Sequence, residues 1–349
     1  MEKIRDFVKH ILYWSGYYHL VNFSRGLIRP EVKLIILSYH DISEIVTPAE
    51  QPDDYIRLRH EINRHQFESH LRVLKKFVDV VSLEEGVEWL KAKRKLKKKL
   101  VAITFDDGYE SAYNVAFPLL KTYKFPATVF LPTDFINNQE SFWWDELEQI
   151  VYHANHSLES RSSLIPVIGE ELADRFSLLE WNTQGKRELL QEIEQYLRSI
   201  NEGQRERIIQ GLRELLLRNR KVKSENRRCL SWDQIVKMHR EGISFGSHTC
   251  SHLNLKFASR GQVMEELGKS KEIIEGNLKT RVSCFAYPYV ADYETHTRIK
   301  PILRNLGYEC ACACWGGVNL CDSDPFFLKR ITFPMTTCTS LIARELLLS

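Results

Sequence analysis

A chain of 349 residues can bury a large core, and single α/β barrels commonly run to about 250 residues or more. Its 43% hydrophobic and 27% charged residues are those of a folded globular protein, which excludes disordered and fibrous classes. Lys and Arg number 49 against 46 Asp and Glu, a net +3, which makes no case for nucleic acid as a partner.

Residues 1–32 read as an N-terminal helical segment. Asp6, Lys9, His10 and His19 interrupt its apolar residues, so it lacks the apolar stretch and small-residue cleavage site of a secretory signal. No uncharged run of about 18 apolar residues follows, so no membrane-spanning helix is expected. Aromatic and basic residues together allow this segment to lie on a membrane surface; docking on the domain is the other reading. The expected location is cytoplasmic, with peripheral contact at the inner face of the membrane as the variant. The eight cysteines are then expected as reduced thiols.

From residue 33 onward, short apolar runs alternate with helix-period segments, the pattern of a parallel sheet with crossover helices. Strands are predicted at 33–39, 78–82, 100–105, 127–131, 243–247, 282–287, 309–314 and 326–333. Helices are predicted at 64–77, 83–92, 110–123, 231–241, 259–277 and 295–306. The basic stretch Lys91–Lys99, with seven positive residues in nine, reads as a solvated helix end; contact with anionic lipid or polysaccharide is the alternative. From about 146 to 225 the chain turns helical and highly charged. This reads as an insertion into one domain spanning 33–349. Cys310, Cys312 and Cys314 alternate like same-face strand residues and match no common zinc spacing, so they are expected to be buried packing groups.

Two motifs carry chemistry. In "TFDDGY", Asp106 and Asp107 sit where a strand ends, and Gly108 permits a tight turn. In "SHTCSH", His248 and His252 follow the strand 243–247, so both motifs reach the C-terminal rim, where such barrels place their sites. Crowded carboxylates repel and persist most readily beside positive charge. One of them could instead cap the following helix, which leaves the other unexplained. Two histidines four apart share a face of a helical turn. With a carboxylate they make a two-histidine, one-carboxylate set that leaves coordination open, as catalytic zinc requires.

"TFDDGY", "SHTCSH" and the later "FAYPY" together resemble the polysaccharide deacetylase family, the NodB homology domain of carbohydrate esterase family 4. "LSYHDI" and "FWWDELE" look most like its poly-N-acetylglucosamine deacetylase branch. The resemblance covers about residues 33–335 apart from the insertion. It implies an α/β fold, a deformed (β/α) barrel with fewer than eight strands. It also implies Asp107, His248 and His252 as metal ligands, Asp106 as general base and the backbone N–H of Tyr289 as oxyanion donor. The metal is expected to be Zn2+, or Co2+ or Ni2+.

Three departures from the family pattern shape the expectations. Ala286 stands where the family has an arginine that holds the catalytic aspartate; Arg330 is the candidate to replace it, and a plain surface or salt-bridge arginine is the other reading. Val290 stands where a glycine is usual. No Leu-x-His motif supplies a general acid, and His40, ending a strand at the same rim, is the candidate; a structural histidine is the other reading, and Asp106 could serve as both base and acid. Trp143 and Trp144 read as a sugar-stacking wall or as core packing, and Trp315 as a turn residue or a groove tryptophan. The expected function is metal-dependent hydrolysis of N-acetyl groups from a carbohydrate. A catalytically silent carbohydrate-binding protein and a deformylase of a lipid-linked amino sugar are the alternatives.

Overall fold

The computed structural model describes residues 33–44, 62–92, 99–154, 161–170, 172–174, 182–217, 228–289 and 292–332. Segment 1–32, most of the basic stretch and Val290 lie outside the described residues. Apolar runs without polar alternation fold as strands buried on both faces, and amphipathic segments between them fold as crossover helices. In chain order these are β1 (Lys33–Tyr39), β2 (Ile42–Ser43), β3 (Ile62–Asn63), α1 (Arg64–Phe77), β4 (Asp79–Val80), α2 (Leu83–Lys91), β5 (Lys99–Phe105), α3 (Phe117–Tyr123), β6 (Thr128–Leu131) and α4 (Thr133–Asn138). There follow α5 (Trp143–His153), α6 (Arg161–Ile168), α7 (Thr183–Ser199), α8 (Glu202–Leu217), α9 (Trp232–Arg240), β7 (Ser244–Ser247), α10 (Arg260–Leu278), β8 (Cys284–Ala286), α11 (Tyr293–Asn305), β9 (Cys310–Cys312) and β10 (Ile331–Thr332). Helix starts are fixed locally. Asn63 with Gln66, Ser231 with Gln234 and Ser259 with Gln262 each form a reciprocal capping box.

Two compact units result. Among the described residues, one comprises those within 33–44, 62–139 and 229–332, and the other those within 140–228. In the first, the strand path runs β10-β1-β5-β6-β7-β8-β9, every pair parallel, with β4 pairing β5 beside that path. The path counts seven strands, fewer than the eight of a regular barrel. Residues 325–330 then bond to the edge of β9, through Leu328 N–H to Ala311 O and Ala313 N–H to Leu328 O, both 2.9 Å, before β10 joins β1. This segment carries the sheet from its last edge back to its first, giving the deformed barrel. Leu34, Ile36, Ala102, Phe130, Cys284 and Cys312 fill one buried cluster, which Leu83, Val87 and Leu90 of α2 join.

The second unit is helical. Leu147, Ile150, Leu189, Ile193, Leu212 and Leu216 from α5, α7 and α8 form its core. Trp144 is buried and stacks on Phe142, with ring centroids 4.5 Å apart, while Trp143 packs against that core under the Arg205 guanidinium. Both tryptophans thus serve packing within this unit.

Three expectations need correction. The helix expected at 110–123 begins with a wide π-helical turn at Ala112–Ala116 before α3, because Pro118 has no N–H to continue the regular ladder. The strand expected at 326–333 is reduced to β10, since the preceding residues are spent bonding to β9. Cys310 and Cys312 are buried as expected, but Cys314 lies past the strand end and is exposed. Among the described residues no helix is long and apolar enough to cross a membrane.

Candidate metal and catalytic site

β1 and β5 pair in register from Lys33 with Lys99 to Tyr39 with Phe105. Asp106 extends that pairing by one bond, its N–H donating to Tyr39 O at 2.9 Å, so Asp106 and His40 leave the sheet side by side. The chain then turns at once, with Asp107 at φ 69° and Gly108 at φ 62°, both left-handed. A Cβ on Gly108 would lie 3.1 Å from Leu131 and Ile136 side chains, so glycine answers both the conformation and the space. Asp107 has no such excuse and is held in a strained conformation.

His248 follows β7, its N–H donating to Leu131 O at 3.0 Å. Its Nδ1 lies 2.8 Å from Ala286 O. A carbonyl can only accept, so Nδ1 carries the proton and Nε2 presents its lone pair. Ala286 therefore contributes through its backbone, whatever its side chain lacks. His252 packs edge-on against both neighbours, with ring centroids 4.8 Å from His248 and 4.8 Å from Tyr289.

The three side chains converge. Asp107 Oδ1 lies 3.4 Å from His248 Nε2 and 3.3 Å from His252 Nε2, and all three residues are buried. Asp107 Oδ1 has no hydrogen-bond partner of proper geometry, although it is fully buried. Ligand bonds of about 2.0–2.2 Å in a tetrahedron place ligand atoms about 3.4 Å apart. The spacing and the unmet carboxylate oxygen thus fit a divalent cation bound by Asp107, His248 and His252. Burial opposes charge on Asp107, but the two imidazoles more than reverse this and hold its carboxyl well below the ordinary range. Burial would lower His248, yet Asp107 and Asp106 together raise it above the usual imidazole value.

Asp106 lies beside this cluster in a different setting. Arg330 reaches it from just before β10, with Nη1 and Nη2 each 2.7 Å from one carboxylate oxygen, and both side chains are buried. The Arg330 Nε donates to Ala313 O at 3.2 Å, which fixes the guanidinium plane. Burial alone would raise the Asp106 carboxyl; the guanidinium outweighs it and keeps the group below the ordinary carboxylate range. The pair is bidentate, the strong form of this contact. His40 is half exposed, with Nε2 4.0 Å from Asp106 Oδ2.

Backbone strain gathers at the same place. Lys124, Gln139 and Lys279 have positive φ as helix C-caps. Asp107, Thr249 (66°), His252 (55°) and Tyr289 (59°) have it around the cluster. Such residues cost on the order of 1–3 kcal/mol each and persist only where their surroundings over-determine them. The turn 248–252 is held by Thr133 N–H to Thr249 O (3.2 Å), by Asp134 N–H to Cys250 O (3.0 Å) and by the carboxylate of Glu266. Glu266 carries no sequence signal, because nothing in its spacing says that α10 turns it toward that loop. Trp315 is exposed beyond β9 and accepts the Arg330 N–H at its carbonyl, 2.8 Å away. His296 bonds to Asp324 and Tyr287, apart from this cluster.

The sequence profile of the polysaccharide deacetylase family matches residues 93–210 and 216–311. A poly-beta-1,6-N-acetyl-D-glucosamine N-deacetylase of Staphylococcus aureus is 37% identical over 81 residues, 23% of this chain and 28% of that protein. The chain spans less than half the length of the curated relatives it matches. Among solved structures, the Streptococcus pyogenes deacetylase PplD superposes with a TM-score of 0.59 at 20% identity, covering 90% of this chain and 99% of that one. IcaB from Ammonifex degensii gives 0.55 at 19% identity, covering 91% and 98%. At such identities the structures establish the likeness of fold alone.

Proposed function

The chain belongs to the polysaccharide deacetylase family, and on that premise we propose that it removes N-acetyl groups from a carbohydrate by metal-dependent hydrolysis. The observation that carries this reading is the convergence of Asp107, His248 and His252 beside an Asp106 clamped by Arg330. A divalent cation on those three ligands supplies Lewis acidity toward an amide carbonyl and acidity to a water molecule. Zinc suits two imidazoles and one carboxylate, and cobalt or nickel could replace it.

The chain's own residues divide the remaining work. Asp106, kept ionised by Arg330, takes a proton from the attacking water as its oxygen bonds to the acetyl carbon. The guanidinium also fixes the direction from which that carboxylate acts. Tyr289, packed on His252, offers its backbone N–H to the developing oxyanion. His40, open to solvent and 4.0 Å from Asp106, gives a proton to the nitrogen as the C–N bond breaks. The products are acetate and an amino sugar. The substrate is a polysaccharide, its repeat unit or a lipid-linked amino-sugar intermediate; the name of the Staphylococcus aureus relative points to the first of these.

The test is metal content together with acetate release from N-acetylated sugars in the presence of zinc, cobalt or nickel. Asp106→Asn is expected to abolish turnover and spare metal uptake, whereas His252→Ala should lose both. Metal uptake without acetate across a broad panel of sugars would favour a silent binding protein. Turnover surviving in Asp106→Asn would refute the assignment of the base.

A further inference from the structure

The segment that carries both histidines donates three hydrogen bonds to one carboxylate of the neighbouring helix, that of Glu266. Glu266 stands on α10, 14 to 18 residues beyond the two ligands in sequence. Its Oε2 accepts from the backbone N–H of Cys250 at 2.7 Å and of Ser251 at 3.0 Å. Its Oε1 accepts from the Ser251 hydroxyl at 2.8 Å. Two successive N–H groups turned onto one oxygen form an anion-holding concavity in the backbone. The concavity lies between Thr249 and His252, the two residues of this turn with left-handed φ. Cys250 adds its Sγ against Glu266 O at 3.6 Å and is otherwise packing.

We propose that Glu266 is a positioning residue for the metal site, its carboxylate setting the backbone of the turn from which His248 and His252 project. The inference rests on the reading of those histidines as metal ligands. His248 has a second support, since its ring is anchored to Ala286 O. His252 follows directly after Ser251, so the angle at which its imidazole leaves the chain depends on where Glu266 holds that residue. Both the length and the forked geometry of the side chain matter. Aspartate keeps the charge but withdraws the oxygens by one methylene, while glutamine keeps an acceptor for the two N–H groups and an amide opposite Ser251.

Zinc titration of the full chain, followed by calorimetry, together with amide hydrogen exchange of the metal-free protein, tests this. E266A is expected to weaken zinc binding about 10- to 100-fold, the usual effect of removing a group that orients a ligand. E266D should also weaken it, and E266Q should stay nearer to wild type than to E266A. In metal-free E266A and E266D the amides of Cys250 and Ser251 should exchange faster while those of β5 do not change. A general loss of stability would instead speed exchange in β5 and leave the zinc affinity of the folded protein alone. Wild-type zinc affinity in E266A overturns the proposal; if E266A fails to fold, the same result in E266D does so. A wild-type chain that takes up no zinc overturns the metal reading itself, and unchanged exchange at Cys250 and Ser251 then overturns the role of Glu266 in holding the turn.

Discussion

Asp106 and Arg330 are separated by 224 residues, yet each is the other's main electrostatic partner. Neither could be buried alone, because an uncompensated charge in a dry interior costs far more than a surface one. Arg330→Met should therefore destabilise the chain by about 3–5 kcal/mol at neutral pH, read as a fall in the thermal unfolding midpoint. Arg330→Lys keeps the charge but not the planar fork, so it should lie between the two and still lose turnover. The pH dependence has a definite sign. The folded-state Asp106 carboxyl lies below its ordinary value, so its contribution is present above that value and is lost as pH falls through the lowered one. In Arg330→Met burial still pushes the carboxyl up and only His248 and His40 remain to oppose it, so the carboxyl should rise and acid loss should begin at higher pH. An unchanged acid limb in that variant would contradict the pairing.

At the scale of elements, the site is an outcome of strand register. β7 lies between β6 and β8, and Ser247 pairs with Leu131 on one side and Phe285 on the other, which delivers His248 to the rim. Gly246 makes that closeness possible. A Cβ there would sit 2.5 and 2.6 Å from ring carbons of Phe130 and 2.8 Å from the backbone oxygen of Cys284. The ring can shift, but the backbone of β8 cannot do so without moving Ala286, which anchors His248. Gly246→Ala should cost about 1–3 kcal/mol by overpacking and also weaken zinc uptake, measurable by thermal unfolding and titration. Much of this was legible in the sequence. β1 falls on its predicted residues because an apolar run is bounded by charged and turn residues, and α1 begins where Asn63 can cap it. The two aspartates and two histidines were legible because strand ends fix the rim they share. Arg330 could be named as a candidate partner for Asp106 but not fixed as one, because it arrives through a segment that bonds first to β9 and then to β1, and no local pattern encodes that path. Glu266 was invisible for a related reason: the loop 253–259, not helical periodicity, decides which residue of α10 meets the turn.

For the molecule as a whole, a single buried imidazole beneath the rim should set much of the response to mild acid. His70 on α1 is buried beside Tyr39, whose ring in turn packs on Phe67 and Phe105, and its Nδ1 lies 3.1 Å from the Tyr39 hydroxyl. Tyr39 pairs with Phe105 in the sheet, directly before His40 and Asp106, so this aromatic group underlies the catalytic edge. Burial lowers the His70 pKa to about 3. The folded chain thus keeps this group neutral where the unfolded chain, with an ordinary value near 6.5, binds a proton. Stability from this source is complete above about pH 6.5 and falls by about 1.4 kcal/mol per pH unit below it. Between pH 6.5 and 5 the loss amounts to roughly 2 kcal/mol. Carboxylates held low by their partners, Asp106 and Asp324 among them, act in the same direction but below their ordinary value of 3.8. The raised His248 acts oppositely in the metal-free chain, its contribution being lost as pH climbs above 6.5. His296, which burial also lowers, acts in the same direction between about pH 4.5 and 6.5, so His70 is isolated there by comparing the wild type with a variant that cannot titrate. His70→Gln retains a hydrogen-bonding group for Tyr39 but cannot titrate, so its unfolding free energy should vary less steeply with pH over that interval, whatever its absolute value. Denaturant unfolding of both proteins at a series of pH values, with equal slopes as the contrary result, decides whether the imidazole is neutral in the fold.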